Sequence, residues 1–206
     1  MKHKEIIEKL SLEEKAALMS GRDFWSTTEY KEYGIPSIFL ADGPHGVRKQ
    51  AAASDHLGLN PSIPATCFPT TATMANTWNE DLGEKLGECL GEEAAAQGVN
   101  VLLGPGMNIK RNPLCGRNFE YFSEDPLLAG KLAAAEIQGV QSQGVGVSMK
   151  HFALNNSENY RFMGGSIADL RVIHELYLRS KRRTRSASCA PTTRSTANTA
   201  VRTSGC

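Results

Sequence analysis

The chain has 206 residues, a formal net charge of +1 and 40% hydrophobic residues, which is enough for one domain with a real core and short for two. It has no apolar run of about 18 residues, so we predict no transmembrane helix. Charges fill the first nine residues, where a secretory signal would be apolar. The five cysteines form no CxxC pair, which argues against a disulfide framework or a zinc site and favours a reducing, cytoplasmic location; they are Cys67, Cys89, Cys115, Cys189 and Cys206.

The charge is divided unevenly along the chain. Residues 179–206 hold seven of the 23 Lys and Arg and none of the 22 Asp and Glu, which leaves residues 1–178 with a net charge of −6. This acidic body has no basic field for nucleic acid. The tail is rich in Ser, Thr and Arg and poor in large aliphatic residues, so it cannot bury enough apolar surface to fold. We therefore predict two regions, a folded body over 1–178 and a non-native or disordered tail over 179–206.

The first half of the body predicts a helix, a strand and a loop, in that order. Apolar spacing indicates a helix over 5–19, and Ser11 with Glu14 forms a capping-box pattern at which the helix begins again. Residues 37–41 form a short apolar run that ends at Asp42-Gly43-Pro44, which is typical of a buried strand entering a turn. Residues 49–66 are predicted to be a loop.

The second half alternates strands and helices. Leu82, Leu86 and Leu90 recur at four-residue spacing in a predicted helix over 79–97, which Asn79 would cap. A strand over 99–103, a polar loop over 111–125 and a helix from Pro126 to about Gln143 follow. A third strand over 145–152 and a helix over 167–179 complete the body. This order predicts an α/β fold with a parallel sheet and crossover helices.

Four polar clusters stand out, and three of them lie at the ends of predicted strands, where α/β folds keep their active sites. Each has a plain alternative interpretation: Asp42 in a simple turn, Arg117 in a surface ion pair with Glu120 or Glu124, Lys150 solvated, and His151 a buried structural histidine. Together, several donors and the acceptor Asp42 suit a polyhydroxylated ligand such as a sugar, because hydrogen bonds to ionised groups are stronger than neutral ones. We find neither a phosphate-binding loop nor metal-ligand spacing, and therefore predict no cofactor. The clusters are residues 42–48, residues 116–126, residues 150–152 with Asn155 and Asn156, and Arg161.

Four long strings within residues 10–178 resemble glycoside hydrolase family 3, most closely its bacterial β-glucosidases: FLADGPHGVR (39–48), FPTTATMANTWNEDL (68–82), VNVLLGPGMNIKRNPLCGRNFEYFSEDP (99–126) and SMKHFALNNSENYR (148–161). The resemblance implies a (β/α)8 TIM-like barrel, of which the body would form the first half to two thirds. It also implies an exo-acting, retaining hydrolase of terminal non-reducing glycosides. It assigns five residues to the subsite that holds the terminal sugar: Asp42, Arg117, Lys150, His151 and Arg161.

The chain departs from the family where the catalytic carboxyl groups are expected. The family's nucleophile lies in a Ser-Asp-Trp-like motif, and its acid/base usually comes from a second domain; neither motif occurs here. From about residue 180 the composition changes abruptly, which we interpret as a frameshift, with a genuine basic tail as the alternative. We therefore expect a β-glucosidase-like protein that binds a small carbohydrate but is inactive as written. A non-catalytic sugar-binding or vestigial fragment is the alternative, and the oligomeric state stays open.

Overall fold

The computed structural model describes residues 3–52, 60–183 and 200–203. Seven residues of the predicted loop over 49–66 and most of the predicted tail over 179–206 lie outside the described residues. The prediction of a non-native or disordered tail therefore stays a prediction.

Three short parallel strands lie side by side in chain order, and they form the centre of the fold. They are β1 (Leu40–Ala41), β2 (Val101–Leu102) and β3 (Gly146–Val147). Leu40 pairs with Val101, and Leu102 pairs with Val147. The predicted order and parallel direction are confirmed, but the predicted strands were too long, because only two residues of each form a regular ladder. Closure of such a sheet into a barrel stays a prediction.

Two long helices make the crossovers between these strands. Helix α4 (Glu80–Ala96) connects β1 with β2, and α5 (Pro126–Ser142) connects β2 with β3. Both begin where the sequence predicts. The Asn79 side chain accepts from the Leu82 N–H at 3.1 Å, and the Asp125 side chain caps α5 with Pro126 in its first turn.

Glycines let α4 and α5 approach each other closely. Gly83, Gly87 and Gly91 are buried along one face of α4. A Cβ atom at Gly87 would lie 2.3 Å from the Glu136 carbonyl oxygen of α5, which is closer than real Cβ atoms come. The leucine row that predicted α4 is therefore only partly buried, and Leu82 is exposed, because the glycine face makes the contact with α5.

The other elements before α5 are short helices and turns. Helices α1 (Lys4–Lys9) and α2 (Leu12–Met19) replace the single predicted helix, and Ser11 and Glu14 form the predicted capping box at the restart. A 3-10 turn covers Lys31–Tyr33, and α3 (Thr71–Thr77), which the sequence analysis did not predict, follows the Thr70 N-cap. A second 3-10 turn, Asn118–Glu120, interrupts the predicted polar loop.

The C-terminal part of the body differs from the single predicted helix over 167–179. Strand β4 (Gly165–Ala168) pairs in parallel with β5 (Ala200–Thr203). Helix α6 (Leu170–Val172) continues through a π-helical turn, Ile173–Tyr177, into α7 (Leu178–Arg183). The helix begins at 170 because the Asp169 side chain accepts from the Val172 N–H at 2.8 Å, which makes Asp169 the N-cap and leaves 167–168 extended.

The core lies between the sheet and the crossover helices, where Leu102, Ile109, Leu132 and Val147 are buried. Within the described ranges, no helix combines the length and the apolar character that a membrane crossing requires.

Candidate functional site

The polar residues that follow the parallel strands converge at the C-terminal edge of the sheet. Asp42 comes directly after β1, and Lys150 and His151 come just after β3. The Lys150 N–H donates to the Pro105 carbonyl at 3.0 Å, and the Lys150 carbonyl accepts from the Met107 N–H at 2.6 Å. The segment after β3 therefore runs beside the segment after β2 and carries Lys150 towards Asp42.

The Lys150 ammonium group holds two carboxylates. Its Nζ lies 2.6 Å from Asp42 Oδ1 and 3.1 Å from Glu120 Oε2. The side chains of Lys150 and Glu120 are only 9% and 2% exposed, whereas that of Asp42 is 36% exposed. The interpretation of Lys150 as a solvated residue is therefore wrong, and Asp42 is the member of this trio that a ligand reaches most easily.

Two arginines extend the cluster through a second glutamate. Arg117 forms an ion pair with Glu120, and its Nη1 lies 3.9 Å from Glu158 Oε1. Arg161 Nη1 lies 3.1 Å from Glu158 Oε2. The ion pair of Arg117 with Glu120, one of the two partners in the plain alternative, is confirmed, but it does not lie on the surface: the side chains of Arg117 and Glu120 are 19% and 2% exposed.

His151 joins the same cluster through a tyrosine and an asparagine. Tyr121 Oη lies 2.7 Å from His151 Nδ1, and the two rings meet edge to face with centroids 5.8 Å apart. The Asn155 side-chain amide donates to Tyr121 Oη at 2.9 Å and to Glu158 Oε1 at 2.8 Å. The five residues predicted from the sequence thus belong to one continuous contact network.

The network sets the charge states of Asp42 and His151. Burial raises the pKa of Asp42, but the charge and hydrogen bond of Lys150, together with the Gly43 N–H and the charge of Arg117, outweigh burial and hold that pKa below its usual value. Burial lowers the pKa of His151 to about 3, helped by the positive charges of Arg117, Lys150 and Arg161. At neutral pH the site therefore contains an ionised Asp42 and an uncharged imidazole.

This arrangement suits binding better than proton transfer. Retaining glycoside hydrolysis uses two carboxyl groups about 5–5.5 Å apart, one of which must first donate a proton. Asp42 is held in its ionised form by Lys150. Glu120 is buried between Lys150 and Arg117, and Glu158 is bonded to Arg161 and Asn155. None of these three carboxylates is placed to act as a general acid.

Four residues that connect the predicted ones were absent from the predicted site residues: Glu120, Tyr121, Asn155 and Glu158. Glu158 lies three residues before Arg161, a spacing that often brings ion-pair partners together, so a signal was available for it. Tyr121 lies in the polar cluster 116–126, but its contact with His151 had no local signal, because the two residues are 30 positions apart in the sequence. Within the part of the chain that the structure describes, no three His, Cys, Asp or Glu side chains group as metal ligands.

A small cavity of about 20 Å³ adjoins the cluster on the side of the crossover helices. Lys150 and Glu120 form part of its wall, together with Thr71 and the α5 residue Glu136. Burial raises the pKa of Glu136 to about 7, and no described residue donates a hydrogen bond to its carboxyl group. This carboxyl group is separate from the ion-paired network.

Comparisons with known proteins define the class of this chain. The N-terminal domain of glycosyl hydrolase family 3 matches residues 5–160. The thermostable β-glucosidase B of Acetivibrio thermocellus is 55% identical over 177 residues, which are 86% of this chain and 23% of that protein. An exo-α-(1→6)-L-arabinopyranosidase of Bifidobacterium longum is 50% identical over 172 residues, 83% of this chain and 23% of that protein. The chain belongs to glycosyl hydrolase family 3.

Solved structures agree with this assignment. β-Glucosidase 3B from Thermotoga neapolitana, in complex with α-D-glucose, superposes with a TM-score of 0.80 at 41% identity, covering 89% of this chain and 27% of that one. A family 3 β-glucosidase from Bifidobacterium adolescentis superposes with a TM-score of 0.81 at 40% identity, covering 95% of this chain and 27% of that one. The chain therefore spans between a fifth and a third of the length of these relatives.

Proposed function

We propose that residues 1–178 form the terminal-sugar-binding part of a family 3 β-glucosidase-type hydrolase. The observation that carries the proposal is the single network that joins Asp42, Lys150, Arg117, His151 and Arg161 at the C-terminal edge of the parallel sheet. Relatives named β-glucosidases and a solved relative in complex with glucose support the choice of a small carbohydrate ligand.

The chemistry of the network suits sugar hydroxyls. Asp42 is ionised and partly exposed, so it can accept from one or two hydroxyl groups. Arg117 and Arg161 keep 19% and 33% of their side chains exposed and can donate. Hydrogen bonds to ionised groups contribute about 1.5–3 kcal/mol each, so several of them would orient one sugar ring.

We further propose that this chain binds without hydrolysing. The three carboxylates of the network are committed to ion pairs or hydrogen bonds, which favours the sugar-binding alternative over catalysis by this chain itself. In the complete enzyme, the nucleophile and the acid/base would come from outside residues 1–178. The exo-acting, retaining reaction belongs to that complete enzyme.

Binding is tested by titrating the chain with glucose and with a glucose-like iminosugar in a calorimeter. The expected result is saturable binding with no release of product from an aryl β-glucoside. Asp42→Asn should weaken binding about tenfold or more, because it removes an ionised acceptor. The matched control is Asp81→Asn, a change of the same kind at an exposed position of α4. Absence of binding, or equal binding by the two variants, contradicts the proposal.

Membership of a hydrolase is tested in a chimera. Residues 1–178 replace the matching segment of the thermostable β-glucosidase B, and hydrolysis of aryl β-D-glucosides and aryl α-L-arabinopyranosides is measured. We expect activity in the chimera and its loss in the Lys150→Met variant, with Lys85→Met as the exposed control. A folded chimera that hydrolyses neither substrate contradicts the proposed role in hydrolysis.

A further inference from the structure

A chain of hydrogen bonds connects Glu158 with His151, and the carboxylate of Glu158 fixes which group donates at each step. Glu158 is ion-paired with Arg161 and is therefore a carboxylate, which can only accept hydrogen bonds. The Asn155 side chain lies 2.8 Å from it and must present its NH2 group there. The second hydrogen of that NH2 group points to Tyr121 Oη at 2.9 Å.

The hydroxyl group of Tyr121 connects Asn155 with His151. Its hydroxyl oxygen accepts from Asn155, and it has a single proton of its own to donate. Two acceptors lie nearby: His151 Nδ1 at 2.7 Å and the Asn155 backbone carbonyl at 3.5 Å. Tyr121 is 0% exposed, so solvent does not compete for the proton. The tyrosine proton therefore goes to the nearer acceptor, His151 Nδ1.

The neutral imidazole then has its proton on the other nitrogen. A neutral histidine with an accepting Nδ1 must carry its hydrogen on Nε2. A second proton is disfavoured chiefly because the ring is buried. The positive charges of Arg117, Lys150 and Arg161 disfavour it further, and the carboxylate of Asp42 only partly offsets them. No described residue takes the Nε2 hydrogen, which leaves it for a ligand.

We propose that Tyr121 and Asn155 are positioning residues that hold His151 in its Nε2–H tautomer, so that the site presents an uncharged donor to an acceptor oxygen of its ligand. This inference rests on the proposed sugar-binding function for the identity of the ligand, whereas the tautomer itself belongs to the chain alone. The donor fits a hydroxyl oxygen, whose own proton is then free to point to a carboxylate such as Asp42.

The consequence for binding follows from the population of the competent form. If only a fraction of the molecules carries the proton on Nε2, the apparent dissociation constant rises by the inverse of that fraction. Removing the tyrosine hydroxyl leaves the two tautomers to compete. A population of about one half would weaken sugar binding about twofold, and a dominant Nδ1–H form would weaken it further.

The tautomer is measured directly on the chain as it exists. Long-range ¹H–¹⁵N correlation spectra of ¹⁵N-histidine-labelled protein distinguish the two ring nitrogens, and the His151→Gln variant assigns the signal among the five histidines. We expect a single Nε2–H form that does not titrate between about pH 5 and pH 8, the range in which an ordinary histidine changes charge. An Nδ1–H form, or titration within that range, overturns the proposal.

Two variants test the assigned roles. Tyr121→Phe should replace the single tautomer by a mixture. Tyr177→Phe is the matched control, because Tyr177 is also buried and donates its hydroxyl to Asn156 but has no hydrogen bond with His151. An unchanged His151 spectrum in a folded Tyr121→Phe chain refutes the positioning role. Asn155→Leu removes the NH2 donor that fixes the direction of the Tyr121 hydroxyl, so the single tautomer should again be replaced by a mixture.

The results also separate this inference from the proposed function. A fixed Nε2–H tautomer in a chain that binds no sugar supports the inference and refutes the function. Sugar binding by a chain with a mixed or Nδ1–H tautomer supports the proposed function and refutes the inference.

Discussion

Replacing Glu136 by glutamine should change how the stability of this chain depends on pH. Glu136 lies on α5 with 8% of its surface exposed, in the wall of the cavity that also contains Thr71 and Lys150. Burial raises its pKa from 4.5 to about 7, because the charged form is poorly solvated there. The amide of glutamine has the shape of the protonated acid but cannot ionise.

The size and sign of the effect follow from this shift. A carboxyl group whose pKa is higher in the folded state favours folding in its protonated form. Its contribution is complete below about pH 4.5 and is lost as the pH rises through about 7, by about 3 kcal/mol in total. Asp42, with its lowered pKa, has the opposite dependence: its contribution to stability is complete above its unfolded pKa and is lost as the pH falls through its lower folded pKa. The contribution of Glu136 to the pH dependence of stability is therefore obtained by comparing the wild type with the Glu136→Gln variant.

The assay is urea unfolding of the wild type and Glu136→Gln over a series of pH values. The free energy of unfolding of the wild type should fall relative to that of the variant by about 3 kcal/mol between about pH 4.5 and pH 8. Glu84→Gln, at an exposed position of α4, is the control and should follow the wild type at every pH. If the free energies of unfolding of wild type and Glu136→Gln differ by the same amount at every pH, Glu136 is not a buried carboxyl group with a raised pKa.

Two further substitutions test the packing of the site and of the helices. Lys150→Met should lower the free energy of unfolding by about 3–5 kcal/mol, because it leaves Glu120 buried with one cation fewer, whereas Lys85→Met on the surface should leave it nearly unchanged. Gly87→Ala should cost about 1–3 kcal/mol, because its Cβ would lie 2.3 Å from a backbone oxygen of α5. Gly83→Ala, one turn earlier, should be nearly neutral, because its Cβ would meet side chains at 3.4 Å and alanine favours helix. Thermal and urea unfolding measure all four, and equal costs for the two glycine variants would contradict the close approach of α4 and α5.

The local elements were largely predictable because their signals lie within a few residues. The capping box of Ser11 and Glu14, the Asn79 cap and the Asp125-Pro126 helix start all act over three or four positions, and each appears where the sequence predicts it. The alternation of apolar strands with long helices similarly predicted a parallel sheet. Strand lengths were predicted less well, because an apolar run shows where burial occurs and not how far a ladder extends.

The face by which α4 packs could not be predicted from periodicity. Leu82, Leu86 and Leu90 suggested the buried stripe, but the contact with α5 is made by glycines one position further along. Glycine adds almost nothing to a hydrophobic pattern. It matters here because it has no side chain at the positions where the backbone of α5 comes close to α4. Such an approach is a property of two helices together.

The sequence by itself determined the types of residue at the candidate site: Asp42, Arg117, Lys150, His151 and Arg161 can be read from the motifs that follow the strands. Tertiary structure alone decided what each does there. Folding brings Lys150 to Asp42 across 108 positions and Tyr121 to His151 across 30, and it buries Glu120 between two cations. Charge state and hydrogen-bond direction depend on burial and on partners that are distant in sequence, so they arise only when the strands lie side by side.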